Sequence, residues 1–229
     1  MARSASATAQ AVRRDAFVEV AQRLIQTKAY EQMSIQDVLD AVGASRGGFY
    51  HYFESKQDLL EAVVARMVEV ALASMAPILA DPDLPALAKL QGLFSGIAAW
   101  KAERKELVLG IARVWLSDDN ALVREKLRQR TMDQLAPLLA VILQQGAAEG
   151  TFTVISPTDT SVVLISLVQG AQLVATQLLL GRYAHAISFA QVERTLQAYS
   201  DAYEAILGAP PGSLRMDREM LRFWFDDVS

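Results

Sequence analysis

Between residues 11 and 28 the chain places Phe17, Val20, Ala21, Leu24 and Ile25 at i, i+3, i+4, i+7 and i+8. This is the apolar stripe of an amphipathic helix. Tyr30 follows in a short connector. Ser34-Ile35-Gln36-Asp37 then sets a capping serine three residues before an acid, the start of a second helix. That helix carries Ile35, Val38, Leu39 and Val42 on one face, and Gly43 stops it. Ser45 caps a third segment with Phe49 and Phe53 at i and i+4. Ser55 and Asp58 repeat the capping pattern ahead of a longer helix through Leu59, Leu60, Val63, Val64 and Met67. Nothing here alternates polar and apolar residues as a strand would.

Beyond Pro77, Asp81-Pro82-Asp83-Leu84-Pro85 is the expected domain junction. Long helical patterns follow, at about 85–101, 104–116 and 119–148, the last ending near Gly146 and Gly150. Gly150-Thr151-Phe152 to Ser156-Pro157 reads as a loop. Residues 158–180 are apolar nearly all round, which predicts a buried helix. A further helix is expected over about 189–207, stopped by Gly208 and Pro210-Pro211. In the tail, Met216, Met220 and Trp224 recur at helical spacing and predict a short helix packed back on the body. The expected class is all-α, with an N-terminal helical domain at 8–66, a larger helical domain at 67–208 and a tail at 209–229.

Composition removes whole classes of chemistry. The 229 residues include no Cys, hence no disulfide framework, thiol nucleophile or Cys-ligated metal. His51 and His185 are the only histidines, too few and too far apart for a multi-His metal site. No cofactor, metal or catalytic residue is therefore expected. Met1 to Gln10 lack the apolar core of a signal peptide. The stretch Val162–Leu180 is interrupted by Ser166, Gln169, Gln172, Thr176 and Gln177 and is read as falling short of a membrane span. A soluble, cytoplasmic protein without membrane partners is expected. Its net charge of −4 argues against coating nucleic acid over the whole surface. Residues 1–57 carry a net +1 and residues 58–229 a net −5, too small an asymmetry to decide anything alone.

The informative segment is 34–56. Two short helices joined by a turn at Gly43 form a helix-turn-helix pattern. Phe49 and Phe53 bury one face of the second helix, so Arg46, Tyr50 and His51 point away from the core. Arg can grip guanine with two hydrogen bonds, and Gly47 and Gly48 let the backbone approach base edges or phosphates. Lys56, at the start of the next helix, pairs a cation with free backbone amides, a seat for phosphate.

Ser34-Ile35-x-x-Val38-x-x-x-Val42-Gly43-x-Ser45-Arg46-Gly47-Gly48-Phe49-Tyr50-His51-Tyr52-Phe53-x-Ser55-Lys56-x-x-Leu59-Leu60 closely resembles the N-terminal domain of tetracycline-repressor-type (TetR family) regulators. The resemblance covers about 12–66; the remainder matches only in helix number, helix length and one loop. It implies an all-α homodimer that binds a palindromic operator in double-stranded DNA, with a four-helix interface built from the last two long helices of the body. It also implies that a small-molecule effector or other signal in the body shifts the spacing of the two DNA-binding heads. Carried over, it places Arg46, Gly48 and His51 nearest the base edges and makes Ser34, Ser45, Tyr50 and Lys56 phosphate contacts. The sequence departs from the family at two places. Lys28-Ala29-Tyr30 lacks the glycine usual after the first helix, and Gly48 stands where Ser, Thr or Ala is common.

Competing readings are weaker. Gly43-Ala44-Ser45-Arg46-Gly47 also fits G-x-S-x-G, but that motif needs a preceding strand and a partner histidine. Arg3, Arg13 and Arg14 suit a minor-groove or phosphate arm, or equally a frayed terminus. Asp118-Asp119 reads as a helix start. In the body, Trp100, Arg113, Trp115, Gln169, Gln172 and Thr176 are candidates for lining an effector cavity, since buried amides need a ligand, water or a partner subunit. An apolar effector, aromatic or acyl, is expected there. The expected function is a dimeric transcriptional regulator, most often a repressor in the family. A helical ligand- or protein-binding module without sequence-specific DNA readout is the alternative, and a helical enzyme lacks any convincing nucleophile, metal set or phosphate loop.

Overall fold

A computed structural model describes the backbone of residues 2–226 and the side chains of residues 8–226. Among the described residues all regular structure is helical: α1 (Ala2–Lys28), α2 (Ile35–Val42), α3 (Arg46–Tyr50), α4 (Lys56–Ala80), α5 (Ala86–Ala102), α6 (Lys105–Trp115), α7 (Ala121–Ala148), α8 (Pro157–Tyr183), α9 (Phe189–Leu207) and α10 (Arg218–Phe225). A single 3-10 turn, Asp118–Asn120, precedes α7. The helices gather into two compact units. One holds the chain up to Ala71 together with Glu103–Leu127, and the other holds Leu72–Ala102 and the chain from Arg128 onward.

The first unit is built on α1. Its buried Phe17, Val18, Ala21 and Ile25 meet Val38 and Leu39 of α2, Phe49 of α3, Phe53, and Leu59, Leu60 and Val63 of α4. Leu107, Ile111 and Val114 of α6 complete the same core. A cluster of aromatic rings lies at its centre. Phe17 meets Phe49 edge-on at 5.8 Å and Phe53 at 6.1 Å, and Phe49 lies 5.6 Å from Phe53. Helix α6 crosses α1 closely: a Cβ at Gly110 would stand 3.0 Å from the Ile25 carbonyl oxygen, so any larger residue needs the two helices to give by a few tenths of an ångström.

In the second unit Leu143, Phe152, Leu164, Ile165 and Leu207 anchor the core of α7, α8 and α9. The buried Glu204 carboxylate accepts the Gly212 and Leu214 N–H groups, each at 2.7 Å, and so fastens the turn beyond α9. Arg182 donates to the Phe225 carbonyl at 2.8 Å and the Ile187 carbonyl at 3.0 Å, which fixes the end of α10.

Several sequence expectations change. Helix α4 runs through Pro77 to Ala80, and Asp81–Pro85 connects two elements of the second unit rather than separating the units. Helix α8 is not a buried helix. Leu164, Ile165, Leu178 and Leu179 are buried, but Val162 (44%), Val163 (53%) and Leu173 (42%) are exposed. By length and composition α8 and α4 are also apolar enough to cross a membrane, despite the interrupting polar residues. Their apolar faces are used in part inside the protein, with α4 in the first core and α8 against α9. In the tail, Leu214, Leu221 and Phe225 are the buried anchors, while Met216 is exposed and lies ahead of α10. Helix α10 begins after Asp217, whose side chain accepts the Glu219 N–H, so Met216 lies outside it, while Met220 and Trp224 are half-buried.

The missing glycine after α1 has a physical consequence. Ala29 closes the helix at φ +64°, the left-handed conformation that costs an L-residue with a Cβ. Replacing Ala29 with Gly relieves this strain and increases unfolded-state freedom, for a net gain of about 0.5–1 kcal/mol. Thermal unfolding of Ala29→Gly is expected about 1–3 °C above wild type; a lower midpoint contradicts the strain.

Candidate nucleic-acid interface

The capping box predicted for α2 is present. Ser34 Oγ accepts the Asp37 N–H at 3.1 Å, while Asp37 Oδ2 accepts the Ser34 N–H at 2.8 Å and its hydroxyl at 2.9 Å. Lys28, at the end of α1, donates to Asp37 Oδ1 at 2.8 Å. The N-terminus of α2 is thereby tied to α1. The hydrogen bond from Lys28, then those from the Ser34 backbone and hydroxyl, hold the Asp37 carboxyl well below the usual carboxylate range.

Gly43 ends α2 at φ +72° with its N–H on the Leu39 carbonyl, a left-handed cap that glycine adopts freely. The chain turns there and Ser45 starts α3, accepting the Gly48 N–H at 3.2 Å. A helix, not a strand, precedes this serine, so the G-x-S-x-G pattern is a turn between helices. Phe49 is fully buried, and the rest of α3 faces outward: Ser45, Arg46, Gly47, Tyr50 and His51 are exposed and Gly48 is half-buried. The His51 ring rests edge-on against Tyr52 at 4.8 Å. Neither helical glycine is demanded by packing. A Cβ at Gly48 would meet the Ser45 hydroxyl at 3.6 Å, and one at Gly47 at 3.9 Å, both ordinary contacts.

Ser55 starts α4 by accepting the Asp58 N–H at 3.1 Å. Lys56 follows it, half-buried. Ser34 is exposed on the same unit, but its hydroxyl proton is already donated to Asp37; the unpaired N–H groups at the start of α2 are the freer donors toward an anion. Arg13 and Arg14 lie on the continuous helix α1 rather than on an arm, and the Arg14 guanidinium covers the Phe53 ring at 5.1 Å. The Arg3 side chain lies outside the described residues.

Residues 17–63 match the family model for bacterial regulatory proteins of the tetR family. The HTH-type transcriptional repressor KstR2 of Mycolicibacterium smegmatis is 29% identical over 149 residues, which span 62% of this chain and 68% of that protein. The HTH-type transcriptional regulator EthR of the same organism is 24% identical over 144 residues, 56% of this chain and 66% of that protein. The crystal structure of a TetR transcription regulator from Haloarcula marismortui shares the fold with a TM-score of 0.60 at 19% identity, covering 84% of this chain and 98% of that one. The chain therefore carries a tetR-family regulatory domain over residues 17–63. Its helix-turn-helix is the element that the family model matches, and the all-helical fold extends the likeness beyond it.

The body residues fall in both units. Trp100, Gln169, Gln172 and Thr176 belong to the second unit, Arg113 and Trp115 to the first. Trp100 is buried, whereas Arg113 and Gln172 are exposed. Gln169 donates to the Arg128 carbonyl at 2.9 Å and Thr176 to the Gln172 carbonyl at 2.9 Å. Trp115 packs partly buried against the first core and against Ala65, Val123 and Leu127. The amides of α8 thus have protein or solvent partners. Among the described residues no group of His, Asp and Glu is placed to hold a metal ion.

Two contacts near the helix-turn-helix leave no trace in the sequence pattern. The Lys28–Asp37 bridge joins residues nine apart on different helices, and the Lys56–Tyr30 contact spans a longer interval; no periodicity links either pair. Because Asp37 is ionised more readily in the folded protein, its contribution is full above the ordinary carboxylate pKa and fades as pH falls below about 4. Asp37→Asn is expected to lower the unfolding midpoint at pH 7, with the gap to wild type narrowing near pH 3. An undiminished gap at low pH contradicts the assignment.

Proposed function

We propose that the protein acts as a homodimeric repressor whose binding to a palindromic operator is released by a small, largely apolar effector. The outward face of α3 carries the reading: Arg46, Tyr50 and His51 project from a helix whose opposite side is held by Phe49. Arg46 and His51 read base edges and Gly48 allows close approach, while Ser34, Ser45, Tyr50 and Lys56 meet phosphates. Residues 8–66 form the DNA-binding domain, 67–208 the effector and dimerisation domain, and 209–229 its tail. The exposed apolar side chains of α8, Val162, Val163 and Leu173, support a dimer closed by α8 and α9. Such a regulator acts in the cytoplasm and uses no cofactor.

The effector binds the second domain and favours a spacing of the two heads that the operator does not fit. Half-sites one helical turn apart demand heads about 34–36 Å apart, so a shift of a few ångströms breaks register. The coupling is reciprocal, typically about 1–3 kcal/mol, and DNA weakens effector binding by the same factor.

Substitutions separate the roles. Arg46→Ala is expected to reduce discrimination between operator and random duplex by about 1–3 kcal/mol, whereas Lys56→Ala weakens both alike and flattens the salt dependence. Titrations with both duplexes at several salt concentrations distinguish these patterns, and equal losses for Arg46→Ala on both remove its base contact. Gly48→Ala is expected to stabilise the free protein by about 1 kcal/mol, because Ala favours helix and the Cβ has room. Thermal unfolding checks this, and an unchanged or lower midpoint contradicts the room found for the Cβ.

A further inference from the structure

Lys56 is the first residue of α4, yet its side chain does not extend freely into solvent. The ammonium lies 4.3 Å from the centre of the Tyr30 ring and 3.4 Å from the Glu31 carbonyl oxygen. Tyr30 is itself immobilised. It is 6% exposed within the core of the first unit, it follows the left-handed turn at Ala29, and its carbonyl accepts the Met33 N–H at 3.2 Å. Partial burial lowers the pKa of Lys56, and the Glu31 and Asp37 carboxylates oppose that shift. Asp37 is already bonded to Lys28, so Lys56 rests against a ring face and a neutral carbonyl.

This arrangement suits a cation waiting for an anion. An aromatic face attracts an ammonium without neutralising it. The carbonyl engages one N–H and leaves the others for a further acceptor. A lysine laid along such a surface has given up rotamer freedom before any partner arrives.

We infer that Tyr30 is a positioning residue for DNA binding: its ring, with the neighbouring Glu31 carbonyl, holds the Lys56 ammonium where a backbone phosphate docks. The inference rests on the DNA-binding reading of Lys56. Tyr30 itself touches no DNA; it acts through the lysine.

The test is a double-substitution cycle read by duplex binding. Tyr30→Phe keeps the ring and is expected to bind within about twofold of wild type, whereas Tyr30→Leu removes it and weakens operator and random duplexes alike by about fivefold. In the Tyr30→Leu background, Lys56→Ala is expected to cost clearly less than it does in wild type, because the two residues act as one unit. Fully additive losses in a protein that binds DNA overturn the positioning role and leave the DNA reading intact. A wild-type protein with no salt-dependent duplex binding removes both. Should Tyr30→Leu fail to fold, the proton spectrum of the wild type decides. Lys56 ε-methylene resonances displaced upfield by the ring support the placement, and resonances at their solvent-exposed position overturn it.

Discussion

The burial of Phe49 is the constraint on which the interface depends. A five-residue helix containing two glycines has almost no intrinsic tendency to form, since nucleation is unfavourable and glycine weakens it further. It holds its shape because Ser45 caps one end and Phe49 is inserted among Phe17 and Phe53. Burying that one ring also selects the outward face. With Phe49 inside, Arg46, Gly47, Tyr50 and His51 remain exposed. The chemistry offered to a duplex is therefore a consequence of apolar packing on the far side of the helix.

The connector between α1 and α2 performs a second task with few residues. Ala29 reverses the chain in a conformation more natural to glycine, Tyr30 then enters the core, and Lys28 returns to Asp37 at the start of α2. One short turn thus sets the start of α2 and the surface beneath Lys56. The close crossing of α6 at Gly110 brings a later segment of chain into the same core. The DNA-binding head consequently includes packing partners far along the sequence, and a substitution in α6 reaches the head through its core rather than through its reading surface.

Much of this was legible in the sequence, for identifiable reasons. The capping serines, Gly43 and the Phe49/Phe53 pair are local signals, and each corresponds to a cap, a turn or a buried ring at the expected residue. Other features depend on tertiary placement and leave no periodic trace. Periodicity marks α8 as apolar but cannot say whether neighbouring helices cover it, and Val162, Val163 and Leu173 remain exposed. Periodicity likewise cannot say whether a ligand, water or a partner subunit meets the amides of α8; Gln169 donates to the Arg128 carbonyl and Gln172 is exposed. In the tail, Met216 lies ahead of the helix that Asp217 caps, and Leu221 and Phe225 supply the buried anchors of that helix.

The central claim is that the outward face of α3 reads DNA sequence, and selection from a random duplex library tests it most directly. The protein would be incubated with the library at two salt concentrations and the bound duplexes sequenced. The expected result is enrichment of a palindrome with half-sites about one helical turn apart, retained at the higher salt. Binding that enriches no motif and disappears as salt rises would contradict the claim, leaving a basic surface without sequence readout.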